Sequence, residues 1–183
     1  MKPLFTIHAG EYLVGCHIEQ HFKRVSVWVP SRDTGVDLLL SDRRNRQTIS
    51  LQVKLSRDYL PTHWSAEFQA KLRASCWWTI KRDKLMKSLA DFWVFVMPGF
   101  AGHTVDFVVI PRKALLRRLQ SIHGKRQRLY QTYLCATARE RCFETRGLRM
   151  DELLRIAYGS YEQKQRDFSE WLNNWTPVSR LNR

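Results

Sequence analysis

Thr34-Gly35-Val36-Asp37-Leu38-Leu39-Leu40 and Ile49-Ser50-Leu51-Gln52-Val53-Lys54-Leu55, separated by the polar, basic residues 42–47, decide how this chain is read. In the second segment Ile49, Leu51, Val53 and Leu55 alternate with Ser50, Gln52 and Lys54, the period-two signature of a half-buried strand. The run 36–40 predicts another strand, and the polar stretch between them a turn, so the pair reads as a hairpin. Side chains two apart on a strand share a face, which makes Gln52 and Lys54 neighbours. A turn centred near residue 45 sets position 37 opposite position 53. Asp37 then lies beside the Gln52–Lys54 pair at the open end of the hairpin. Three polar groups therefore occupy positions that a core pattern would fill with apolar ones.

Working outward toward the N-terminus, Val25, Val27 and Val29 alternate with Ser26 and Trp28, a strand closed by Pro30. Before it, Val14, Ile18 and Phe22 recur every four residues and predict a helix over 10–22. Its stripe also contains Glu11 and Gly15. Gly15 is expected to let the helix approach the sheet closely. A carboxylate at the head of an apolar stripe faces the sheet and needs a cation or a hydrogen-bond partner there. Toward the C-terminus, the spacing of Trp64, Phe68 and Leu72 predicts a helix over 64–72, and 76–80 reads equally as helix or strand. Residues 92–96 and 105–110 are continuous apolar runs of the kind found in buried strands. Helices are expected after Pro111, over 148–157 and over 161–175, the last with an apolar stripe of Phe168, Trp171, Leu172 and Trp175.

This order predicts an α/β fold: a mixed central sheet of about five strands flanked by helices, followed by a helical C-terminal extension. The 183 residues fit a single domain, with a core over 9–110 and a basic extension over 111–183. The seven tryptophans within an aromatic content of 12% are read mainly as core.

Lys and Arg number 31 against 17 Asp and Glu, a net charge of +14. Residues 107–139 hold eight basic residues and no acid, so 8 of the 14 excess charges lie in that one stretch. Leu115, Leu116, Leu119 and Ile122 fall at helical spacing within it. Arg112, Lys113, Arg117, Arg118, Lys125, Arg126 and Arg128 are then left outside, either as a plain solvated basic face or as a surface that contacts phosphates, which the missing acids favour. About five such contacts to duplex DNA would make log K fall against log salt with a slope near −0.9 × 5. No apolar run is long enough for a membrane span, and residues 1–10 lack a signal-peptide layout. Cys16, Cys76, Cys135 and Cys142 are scattered, without the paired spacing of a zinc site or disulfide framework, as expected of reduced thiols in the cytoplasm. Phosphate-cradling glycine loops are missing as well.

Two carboxylates, an amide and a lysine thus converge. Hard cations such as Mg²⁺ or Mn²⁺ take oxygen ligands and accept few carboxylates plus water. Asp37 and Glu11 offer carboxylate oxygen; the Gln52 side chain and the Val53 carbonyl offer neutral oxygen. Lys54 is placed to orient water or to stabilise charge developing on a phosphate. An Asp–Lys ion pair in a structural hairpin is the plainer reading of the same spacing.

At these residues the chain resembles the PD-(D/E)xK nuclease superfamily, which includes many restriction endonucleases and Holliday-junction resolvases. The matching segments are Gly10-Glu11-Tyr12-Leu13-Val14, Thr34-Gly35-Val36-Asp37-Leu38-Leu39 and Ser50-Leu51-Gln52-Val53-Lys54-Leu55. The order helix, three strands, helix, strand over about residues 9–110 resembles the family core. The resemblance implies that Asp37 binds metal, that Lys54 is the motif lysine, and that Glu11 is the first-helix acid. Gln52 stands where most members have Asp or Glu, a Gln-x-Lys variant similar to the Mrr-like branch. Val36 replaces the family's proline.

The implied function is a Mg²⁺-dependent (or Mn²⁺-dependent) endonuclease that hydrolyses phosphodiester bonds in duplex or branched DNA. Its catalytic residues would be Glu11, Asp37, Gln52 and Lys54. A homodimer would suit it, because a single site cuts one strand. The alternatives are a catalytically inactive nucleic-acid-binding protein of the same fold, or a structural protein with no nucleic-acid role.

Overall fold

The computed structural model describes residues 8–32, 34–102 and 104–182. Most of the N-terminal segment weighed above as a leader lies outside these residues.

Helix α1 (Ala9–His21) forms where the four-residue spacing places it, and Val14 and Ile18 are fully buried. Strands β1 (Val25–Trp28), β2 (Leu38–Asp42) and β3 (Thr48–Leu55) follow as an antiparallel meander. The β2–β3 turn closes on Asp42, whose carboxylate accepts the N–H groups of Arg46 and Gln47. Those bonds, the one to Gln47 foremost, hold its pKa below the ordinary carboxylate value. Asn45 adopts φ 54°, the left-handed conformation that Asn tolerates in turns.

The register differs by one residue from the expected hairpin. Leu38 pairs with Leu51 and Ser41 with Thr48, so the turn centres between residues 44 and 45. Asp37 therefore faces Gln52 rather than Val53. The reason is the loop: with Asp42 N–H bonded to Gln47 O, four residues remain in the bend, and an even loop has no central residue.

The chain then crosses over and returns as β5 (Phe92–Pro98), parallel to β3, which pairs antiparallel with β6 (Val105–Pro111). The order β1-β2-β3-β5-β6 is the five-stranded mixed sheet expected from the sequence. Alternate residues of its strands supply two apolar clusters. One, with Leu51, Val53, Val94 and Val96, lies under α1; the other, with Trp93, Phe95 and Met97, lies on the opposite face.

The crossover contains α2 (Ala66–Gln69), β4 (Leu72–Lys81) and α3 (Arg82–Lys87). The predicted helix over 64–72 is thus reduced to one turn. Trp64, Phe68 and Leu72 do share a buried cluster, so their spacing reported a common core and not one continuous helix. The undecided segment 76–80 is strand: Cys76, Trp78 and Ile80 are buried while Trp77 and Thr79 are exposed.

The C-terminal extension is not purely helical. After α4 (Arg112–His123), strands β7 (Leu129–Thr137) and β8 (Cys142–Glu144) join β4 in a second, antiparallel sheet, β4-β7-β8. Helix α5 (Met150–Tyr158) ends at Gly159, whose φ of 82° closes it in the left-handed region. Residues 161–175 are irregular, with short 3-10 turns at Lys164–Arg166 and Ser169–Trp171. Their apolar stripe is divided, Phe168 entering the cluster between the sheets and Trp175 the one under α1. Helix α6 (Thr176–Leu181) closes the chain.

Gly10, not Gly15, is where α1 meets the sheet. A Cβ on Gly10 would lie 2.8 Å from Leu55 Cβ, whereas one on Gly15 would meet nothing within 4 Å. Most tryptophans are core, but Trp28 and Trp77 are 51% and 42% exposed. Cys76, Cys135 and Cys142 are buried free thiols, and Cys16 is half-buried. Among the described residues no helix is long and apolar enough to cross a membrane.

Candidate active-site cleft and basic surface

Glu11, Asp37, Gln52, Val53 and Lys54 line one cleft of about 280 Å³, together with His8, Gly10, Leu55 and Lys84. The fold accounts for the convergence. Asp37 ends the loop entering β2, and its N–H bonds to Leu51 O at 2.8 Å, which anchors it beside β3. Its carboxylate oxygen Oδ2 accepts the Val53 N–H at 2.7 Å and a short hydrogen bond from Gln52 Nε2. The N–H and C=O of one strand residue leave on the same side, so the Val53 carbonyl also points toward Asp37.

Gln52 is only 2% exposed. Its Nε2 is taken by Asp37, while its Oε1 is buried without a hydrogen-bond partner. A buried acceptor left unpaired is costly, and its presence marks a position where a donor or cation is owed. Lys54 emerges on the same face as Gln52, with its ammonium 5.8 Å from the centre of the Trp93 ring. Glu11, on the other side of β3, is the third residue of α1, where its Oε2 accepts the His8 N–H at 3.1 Å. The acid therefore caps its own helix while lining the cleft. Gly10 makes this possible, because its bare Cα lets the first turn of α1 rest on β3.

The sequence reading missed the wall contributed by α3. Lys84 lines the cleft, and Lys84 and Lys87 border an adjoining hollow with Thr34, Gly35, Gln52 and Ser88. The run Lys81-Arg82-Asp83-Lys84 with Lys87 was visible as charge, but only the crossover brings it beside β3.

The basic stretch divides in two. Lys113, Arg117, Lys125, Arg126 and Arg128 are exposed. Arg112 and Arg118 serve the fold: Arg112 donates to Met86 O at 2.7 Å, tying α4 to α3, and Arg118 stacks 5.0 Å over Trp171. A further basic group, Arg24, Arg43, Arg44 and Arg46, rims a hollow at the opposite end of the hairpin.

Chemically, the cleft offers oxygen donors from two carboxylates, one amide and one carbonyl, with lysines on its wall. Among the described residues no three His, Cys, Asp or Glu side chains gather as a metal-binding group. Comparison with family models, with curated proteins and with solved structures returns no match.

Proposed function

We propose that the chain is a divalent-cation-dependent endonuclease of the restriction-endonuclease-like, PD-(D/E)xK fold, hydrolysing phosphodiester bonds in DNA. The observation that carries this reading is the single cleft lined by Glu11, Asp37, Gln52, Val53 and Lys54. The meander β1–β3 behind α1, with a parallel return of the chain beside β3, supports the fold assignment.

The donor set fits a hard cation such as Mg²⁺ or Mn²⁺, since every donor is oxygen and Gln52 Oε1 is buried without a partner. Asp37, Glu11, Gln52 and the Val53 carbonyl would hold it. Such a cation, when bound, supplies positive charge to a phosphodiester oxygen and lowers the pKa of water. Lys54 orients the attacking water and offsets negative charge as it develops on the phosphate. Lys84 and Lys87 hold the neighbouring phosphates, and the exposed cations of α4 and the loop after it fix the backbone without reading sequence. This reading assigns the protein to the cytoplasm and makes a homodimer the natural unit for cutting both strands.

Incubation of plasmid with the protein and Mg²⁺ or Mn²⁺, beside Asp37→Ala and Lys54→Ala, tests the assignment. Cutting by the parent chain and its loss in both variants are expected; undiminished cutting by both variants would sink the assignment.

One observation favours a second reading, a nucleic-acid-binding protein with an inactive site. Gln52 replaces an acid, and the cleft keeps only two carboxylates. Calorimetry with Mn²⁺ separates the readings: heat that disappears in Asp37→Ala supports the nuclease, and no binding by the parent chain supports the inactive protein.

A further inference from the structure

The second sheet has an outer face that the cleft does not use. Alternate residues of β4 and β7 point away from the core, and the register sets Trp77 opposite Tyr133, Thr79 opposite Gln131 and Lys81 opposite Leu129. Near the middle of the sheet this face is covered by α2 and α5, where Cys135 and Phe143 are buried. From Trp77 and Tyr133 toward Lys81 and Leu129 it is open, with Trp77 42% and Leu129 50% exposed.

An isolated bridge between Asp58 and Cys76 lays Tyr59 alongside. The three rings form one cluster: Tyr59 lies 6.4 Å from Trp77 and 5.7 Å from Tyr133, and Trp77 lies 6.3 Å from Tyr133. The Arg146 guanidinium sits 6.0 Å from the Tyr133 ring. It also borders a hollow of about 320 Å³ with His123, Gln127, Leu129 and Gln131.

Cations stand at the far end of this face. Lys81 ends β4 opposite Leu129, and Lys125, Arg126 and Arg128, just before β7, are exposed. The acids nearby are few. Asp58 is exposed, Asp83 lies 3.7 Å from Arg82, and Glu144 is fully buried against Arg166. A cluster of aromatic rings on a sheet face, Trp77 exposed and Tyr59 and Tyr133 half-buried beside it, with cations at its open end, matches the chemistry that stacks unpaired bases and holds their phosphates. A duplex keeps its bases stacked inside and cannot use such rings.

We infer that the outer face of the β4–β7–β8 sheet is a docking surface for single-stranded DNA, with Trp77, Tyr133 and Tyr59 stacking on bases and Lys81, Arg128 and Arg146 contacting phosphates. Naming DNA rests on the nuclease reading of the cleft; the stacking chemistry does not. The chain also runs directly from this face to the cleft wall. Lys81 ends β4, and α3 begins at the next residue, so Lys84 follows Lys81 by about one helical turn. A strand held on the rings is thereby led along α3 to Asp37 and Lys54.

Fluorescence anisotropy tests this with the full chain in EDTA and a labelled oligothymidylate of about 15 nucleotides, at the upper end of single-strand site sizes. A duplex of equal length and an oligouridylate are compared with it. Trp77→Ala should weaken binding to the single strand by about 5- to 150-fold, the loss of one stacked base. Trp77→Phe should restore part of it, and Trp28→Ala, on the distant edge strand β1, should leave it unchanged. The inference is overturned by undiminished single-strand binding in Trp77→Ala, by an equal loss of duplex binding in that variant, or by a preference for the RNA strand. Because EDTA removes cutting, this result stands apart from the cleft. Asp37→Ala should lose cutting and keep binding, so each idea can fail alone.

Discussion

Gly10 and Gly15 are both glycines of α1, and the structure predicts opposite outcomes when each becomes alanine. In a helix this change ordinarily stabilises by about 0.5–1 kcal/mol, because glycine loses more backbone entropy on folding. At Gly15 nothing lies within 4 Å of the new Cβ, so Gly15→Ala should gain that amount. At Gly10 the new carbon would stand 2.8 Å from Leu55 Cβ and 3.3 Å from Val53 Cγ1. Leu55 Cβ is bonded to the strand backbone and cannot swing aside, so α1 must lift. Overpacking of this kind costs about 1–3 kcal/mol, which leaves Gly10→Ala a net loss of about 1 kcal/mol. The two variants should differ by about 2 kcal/mol, or roughly 4–8 °C in Tm for a chain of this length. Urea and thermal unfolding of the two, side by side, measure this. Lifting α1 also moves the neighbouring Glu11, so Gly10→Ala should bind Mn²⁺ more weakly than Gly15→Ala. A Gly10→Ala protein as stable as the parent would refute the close packing of α1 on β3.

The other predictions concern buried groups. Burial pushes the Cys76 and Cys135 thiols up to about 12 and about 11; a thiol reagent at pH 8 should therefore modify Cys16 first and the buried three only on unfolding. Burial, with Arg146 and Arg166 beside it, pulls His123 down to about 4, so its imidazole resonance should titrate there and move upward in Arg146→Met. A midpoint near 6.5 in the parent chain would contradict the packing. Its stability contribution is complete above pH 6.5 and lost as pH falls through 4. Burial pushes Glu144 up to about 7 despite Arg166, so its contribution is complete below pH 4.5 and lost as pH rises through 7; the two should offset from pH 4.5 to 6.5, and His17, whose pKa burial also lowers, leaves a net fall in Tm as pH drops below 6.5. Gln52→Glu should lower Tm in EDTA, by placing a second carboxylate against Asp37 in a buried position, and recover it with Mn²⁺. No recovery would argue against a cation at Gln52.

The hairpin and its polar residues were legible because period-two alternation is a local property that the fold leaves intact. The register slipped by one because loop length depends on which pair closes the turn, and Asp42 with Gln47 closed it. The second sheet was hidden for a different reason. In β7 the buried Leu134, Cys135, Ala136 and Thr137 run consecutively, since the sheet is covered on both sides there, and the alternation disappears. Residues 161–175 misled in the opposite way: Phe168 and Trp175 sit at helical spacing but fill different clusters, as an irregular chain can when each side chain is separately anchored. Trp77 reads as core in the sequence because an aromatic in an apolar run looks alike on either face. Its strand parity, clear once 76–80 is known to be strand, turns it outward.

The cleft and the basic surface are linked by charge as well as position. Glu11 and Asp37 alone would repel a phosphodiester, and at distances of a few Å such repulsion is worth kcal/mol rather than tenths. Lys54 and Lys84 on the same walls offset both charges, and Lys87 in the adjoining hollow exceeds them by one. An acid at position 52 would cancel that excess; an amide preserves it while still presenting oxygen. In the nuclease reading Gln52 therefore exchanges some hold on the cation for a cleft that attracts its substrate before any cation binds. The same argument explains why α3 matters. It joins the cleft, the tie from Arg112 to Met86 and the end of β4, so Lys84 on the cleft wall follows Lys81, at the end of the second sheet's open face, by about one helical turn.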